Sequence, residues 1–144
     1  MASDPSTGWS IDPQLQRDSV AIGDLPLCQV RLMNDANYPW LLLIPRRANV
    51  TELIDLGDAD QALLMREVTQ AVRALKTQTM CDKINVAAIG NVVAQLHVHV
   101  VARFRTDAAW PKPVWGHLPA RAHDDVALQK LLATLRACLA FAPK

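Results

Sequence analysis

The decapeptide AQLHVHVVAR, residues 94–103, sets His97 and His99 one residue apart, with Gln95 two residues ahead, in a run that is otherwise apolar. In an extended strand successive side chains alternate between faces. Gln95, His97 and His99 then share one face, spaced roughly 7 Å apart at about 3.3 Å rise per residue. Leu96, Val98 and Val100 share the other, an apolar surface that helices can cover. The polar line admits three readings. It is a solvated or hydrogen-bonded sheet face, a metal site, or a nucleophilic centre. His-x-His on a strand can offer two imidazoles to zinc. The third ligand would have to come from His117, His123, Asp107 or more distant acids, which show no recognisable ligand spacing. A neutral imidazole oriented by a polar neighbour can equally attack an electrophile.

The segments around this strand read as its partners. VAIGDL and LCQVRLM (Leu27 to Met33) carry a strand pattern, and NDANYP follows as a turn. WLLLI (Trp40 to Ile44) is a short continuous apolar run, the mark of a strand buried on both faces, and Pro45 ends it. KINVAAI (Lys83 to Ile89) is a further strand, closed by the turn dipeptide Gly90-Asn91. Between them, Leu64, Val68, Ala71, Val72 and Leu75 recur at helical spacing. Asp58 stands at the head of that run as its expected cap, with Gln61 three residues on as in a capping box. A last helix starts near Asp124 and turns Leu128, Leu131, Leu132, Leu135 and Leu139 inward, while PQLQRDS forms a short helix near the start. Short links between neighbouring strands favour antiparallel pairing. The expected fold is α+β, with one antiparallel sheet of about five strands and two main helices packed on one face. Residues 1–13 are expected as a loose arm and residues 14–144 as one domain.

With 144 residues, half of them hydrophobic, the chain can build one core without disulfide or metal support. Its net charge of +1 leaves no electrostatic footprint for a nucleic acid polymer or a membrane surface. Cys28, Cys81 and Cys138 are odd in number and far apart, so free thiols in a reducing cytoplasm are expected. The first ten residues lack the basic and apolar regions of a signal peptide, and no apolar run is long enough for a bilayer.

The run Gln95-Leu96-His97-Val98-His99-Val100-Val101 resembles the signature of the histidine triad (HIT) family, His-φ-His-φ-His-φ-φ with φ apolar. The trailing Ala102-Arg103 resembles Fhit-like members. LLLIPRR is similar to the family's apolar strand ending in proline and basic residues. INVAAIGN is similar to its Asn-containing strand and Gly-rich turn, and the AWP segment after the triad resembles the Hint branch. The likeness runs from about residue 25 to 115. It implies a nucleotide-binding fold that cleaves phosphoanhydrides or phosphoramidates at the α-phosphate, of dinucleoside polyphosphate or nucleoside phosphoramidate type, with no metal or other cofactor and commonly as a homodimer. In such a protein His97 is the nucleophile that forms a nucleotidyl-histidine, and His99 contacts the phosphate or assists the leaving group. Gln95 departs from the pattern, standing as a supporting member of the catalytic set where the family usually has its first histidine. Galactose-1-phosphate uridylyltransferases of the same superfamily also carry a glutamine in their triad, at its last position. The resemblance further puts Asn85 at the phosphate, Asn91 among the substrate-binding residues as the Gln or Asn just upstream of the triad, and Asn34 at the ribose hydroxyls, while Val92 replaces a Ser or Thr hydroxyl. A nucleotide-binding module with little turnover is the alternative that Gln95 and Val92 suggest. Arg46, Arg47 and Arg103 read as a solvated rim, and Trp110 and Trp115 as core or interface packing.

Overall fold

The computed structural model describes residues 8–139 and residue 141. Five strands, β1 (Ser19–Asp24), β2 (Cys28–Met33), β3 (Trp40–Pro45), β4 (Lys83–Ala87) and β5 (Val98–Arg103), form one sheet in the order β1-β2-β3-β5-β4. Every neighbouring pair is antiparallel. Three α-helices, α1 (Pro13–Asp18), α2 (Asp58–Thr79) and α3 (Asp125–Cys138), complete the described elements with a 3-10 turn at Leu53–Asp55. The chain crosses from β3 to the far edge through α2, so the strand carrying the histidines returns between β3 and β4.

β3 explains why the sheet needs cover on both sides, since all six of its residues are buried. Leu41 and Leu43 face α2 and α3 together with Val98, Val100 and Ala102 of β5. Leu64, Val68, Ala71 and Leu75 of α2 meet them, joined by Leu132, Leu135 and Leu139 at the end of the chain. Trp40, Leu42 and Ile44 point the other way into a smaller core with Leu15, Tyr38, Val93, Ala109 and Val114. Two main helices thus cover one face, as the periodicity predicts. The second face is closed by α1, residues 8–12 and the chain after β5.

The start of α2 differs from the expectation. Gly57, in an extended conformation, is the N-cap, and Asp58 is the first helical residue without a side-chain capping bond. Its carboxylate still lies in the first turn, where the helix dipole favours negative charge, while the Gln61 amide donates to the Leu56 carbonyl at 2.8 Å. α3 behaves as read, with the Asp124 carboxylate accepting from the Ala127 amide. Gly90 adopts φ +69° between β4 and the histidine segment, a conformation that disfavours any residue with a Cβ. Of the segment read as an arm, residues 1–7 lie outside the described residues. Trp9 and Ile11 pack against the smaller core, and Asp12 caps α1 by accepting from the Gln14 amide at 2.8 Å.

Candidate functional site

β5 begins at Val98, so His97 sits at the last position before the ladder and His99 one step inside it. Leu42 and Ala87 flank His99 in register on β3 and β4. Both imidazoles are buried, with ring centroids 4.9 Å apart. They line one face of a cavity of about 400 Å³, within the range that holds a small organic ligand. α1 contributes Gln14, Leu15 and Asp18 to its lining, and the segment after Gly90 contributes Asn91 and Val93. A second cavity of about 260 Å³, bounded by Thr51, Glu52 and Ile89, also reaches His97. The larger space is the stronger candidate, because it alone exposes both imidazoles and sits among apolar and indole walls.

The ring nitrogens are set by their partners. His97 Nδ1 lies 2.7 Å from the Gln95 carbonyl. A carbonyl only accepts, so Nδ1 carries the hydrogen, and in the neutral ring Nε2 holds the free lone pair. Among the described residues Nε2 has no hydrogen-bond partner. His99 has the opposite arrangement. Its Nδ1 accepts the indole N–H of Trp40 at 3.0 Å, so the proton of the neutral ring sits on Nε2. Burial, and secondly the neighbouring His97, hold His99 down to about 4, well below the usual imidazole range. His99 is therefore a neutral donor at any ordinary pH. Trp115 stands edge-on to both His99 and Trp40, with centroids 5.2 and 5.7 Å away.

The structure does not gather all the residues named from sequence. Asn91 lies on the cavity wall, but Gln95, Asn34 and Asn85 do not. The Gln95 amide bonds to the backbone of Ser10 and Asp12. Asn34 donates to the Arg17 carbonyl at 3.1 Å, which ties the β2–β3 turn to α1. Asn85 shares the face of His99, yet its carbonyl accepts from Arg103 at 2.8 Å. An amide in an apolar strand does find a partner, and that partner is a side chain of the next strand. Arg103 itself corrects the reading of a solvated rim. It is 1% exposed, paired with Asp107 at 2.9 Å, and donates to the Lys112 carbonyl. The guanidinium lies 5.6 Å from the Trp110 ring centroid. Burial pushes the Asp107 carboxyl up, but hydrogen bonds from Arg103 and from the Phe104 and Trp110 amides outweigh it and hold it low. Arg46 and Arg47 are likewise engaged, with Asp24 and Asp60.

Sequence reasoning missed Trp40, Gln14 and Asp18. Trp40 was hidden at the head of a run that reads as plain core, and no spacing rule connects α1 to a strand eighty residues away. His117 is exposed, and His123 lies 3.1 Å from the Met33 carbonyl. Among the described residues no three His, Cys, Asp or Glu side chains are grouped to hold a metal ion.

An open antiparallel sheet that presents two buried imidazoles of opposite tautomer to an apolar cleft defines a class of small α+β proteins built around one strand-borne site. The chain belongs to the HIT family, matching the HIT domain over residues 14–106. A histidine triad protein of Bradyrhizobium japonicum is 52% identical, with a TM-score of 0.91 covering 92% of this chain and 98% of that one. One from Sinorhizobium meliloti is 44% identical, with a TM-score of 0.88 and coverage of 91% and 97%. The AP-4-A phosphorylase of Mycobacterium tuberculosis is 32% identical over 120 residues. That match takes in 74% of this chain and only 58% of the relative, so the chain spans little more than half the length of the curated relatives it matches.

Proposed function

We propose that this protein is a nucleotidyl hydrolase or transferase that cleaves its substrate at the α-phosphate through His97. The observation that carries the reading is the hydrogen bond from His97 Nδ1 to the Gln95 carbonyl, which leaves the Nε2 lone pair free on a ring that lines the cavity. Dinucleoside polyphosphates and nucleoside phosphoramidates are the candidate substrates. The name of the mycobacterial relative favours the first.

The steps follow from the two tautomers. The Nε2 lone pair forms a bond to the α-phosphorus while the bond to the leaving group breaks, and the leaving group departs with that electron pair. Positive charge then develops on the His97 ring, and the Nδ1–H···O contact with Gln95 strengthens to meet it. Charge builds on the non-bridging oxygens, where the Nε2–H of His99 is a donor fixed in advance. Water next attacks phosphorus, the P–N bond returns its electrons to Nε2, and one proton is released. Leu15, Met33 and Trp115 offer the base apolar surface, and Asn91 adds an amide at the cavity rim.

The test is a screen of dinucleoside polyphosphates and nucleoside phosphoramidates beside His97→Ala. Turnover should vanish in the variant while nucleotide binding survives, and brief incubation of the wild type with labelled substrate should trap an acid-labile adduct on His97. An adduct on another residue, or full activity in His97→Ala, overturns the mechanism. Binding of nucleotide without any turnover by the wild type would leave a binding module instead.

A further inference from the structure

Gln95 occupies the first position of the triad but does not touch the cavity that the two histidines line. Both ends of its amide are committed to one distant piece of backbone. Nε2 donates to the Ser10 carbonyl at 2.8 Å, and Oε1 accepts from the Asp12 amide at 2.8 Å. A primary amide that bonds one carbonyl and one N–H two residues apart imitates a strand neighbour, and it fixes the register of the segment it holds. That segment leads straight into α1. The Asp12 side chain caps the helix through Gln14, and its carbonyl accepts from the Gln16 amide at 3.0 Å. α1 in turn supplies Gln14, Leu15 and Asp18 to the cavity wall.

We infer that Gln95 is a positioning residue for nucleotide binding, a clasp that holds α1 as a wall of the cavity. The two halves of Gln95 have separate duties. Its backbone carbonyl orients His97, and its side chain orients the wall. A glutamine suits this better than a histidine, because one planar amide offers a donor and an acceptor side by side without a change of charge. A helix of six residues cannot hold itself in place by its own hydrogen bonds. Its docking rests on the burial of Leu15, on the packing of Trp9 and Ile11, on bonds that Ser19, Arg31 and Asn34 donate to the Leu15, Gln16 and Arg17 carbonyls, and on this clasp at its leading end. When the docked fraction falls, apparent affinity falls with it, because only the docked form completes the wall.

The inference rests on the proposed nucleotide site, and the test separates the two. Gln95→Ala removes both bonds. Gln95→Glu keeps the shape and the acceptor for Asp12 but sets a carboxylate oxygen against the Ser10 carbonyl. In both variants KM, and the Kd for adenosine monophosphate used as a probe, should rise on the order of tenfold, with kcat changed less than threefold. Amide exchange across residues 9–18 should quicken while exchange across β5 stays at the wild-type rate. If kcat drops a hundredfold at unchanged KM, Gln95 acts on the reaction directly and the clasp is wrong. Unchanged exchange across residues 9–18 overturns it as well. If the wild type binds no nucleotide while the variants still show the exchange effect, the nucleotide site is refuted and the clasp is left as a structural device only.

Discussion

Replacing His99 with glutamine should flatten the acid limb of the protein's stability curve by a calculable amount. The His99 ring is 7% exposed, and it is held to about 4 in the folded chain against an ordinary value of 6.5. Above pH 6.5 the ring is neutral in both folded and unfolded chains, so its titration has no effect. As pH falls below 6.5 the unfolded chain takes up a proton that the folded chain refuses. Stability is then lost at up to about 1.4 kcal/mol per pH unit until the folded ring titrates near 4. The accumulated loss is about 2 kcal/mol at pH 5 and about 3 kcal/mol at pH 4. Urea unfolding followed by circular dichroism, at pH 7.5, 5 and 4, measures it in the wild type and in His99→Gln. Carboxylates such as Asp107 titrate in both proteins, so the difference between the two curves isolates the imidazole. A difference that stays below about 0.5 kcal/mol from pH 7.5 to 4 would show that His99 is not held neutral, and its role as a fixed Nε2–H donor would fall with it.

Asp107→Ala strands the buried Arg103 guanidinium and strips an acceptor from the Phe104, Ala109 and Trp110 amides. The variant should lose about 3–5 kcal/mol in urea unfolding. Trp40→Phe removes the indole donor to His99 and leaves a buried ring nitrogen unpaired, a cost of about 1–3 kcal/mol. Nitrogen-15 spectra of labelled histidine should then show His99 losing its single Nε2–H tautomer. Finally, β4 is an edge strand with Val86 and the nearby Ile89 and Val92 exposed. We propose a homodimer on that apolar surface, so light scattering at micromolar concentration should give twice the mass of one chain.

The sheet was legible because its strands obey simple alternation or, in Trp40–Pro45, an unbroken apolar run. The faces of residues 96–100 came out as the period-two pattern requires. α2 and α3 were legible in the spacing of their leucines. What escaped was any contact made by a side chain with backbone far away in sequence. Gln95 reads as a triad member by position, yet its amide finds Ser10 and Asp12. Arg103 reads as a solvated cation, because nothing in a linear pattern says that Asp107, four residues later, will fold back onto it. Trp40 reads as core and is core on most of its surface. Only the three-dimensional register of β3 against β5 turns its indole N–H toward His99.

The indole pair around His99 also places two fluorophores at the cavity. Trp40 and Trp115 are two of the chain's four tryptophans, and they meet each other and the same imidazole at centroid distances under 6 Å. Trp115 and Trp40 both line the cavity, so under the proposed nucleotide reading a bound base would lie within reach of an excited indole. The protein therefore carries its own reporter. Intrinsic emission titrated with nucleotide reads out occupancy without label or turnover, and the part that Trp115→Phe removes is the signal that comes from the cavity.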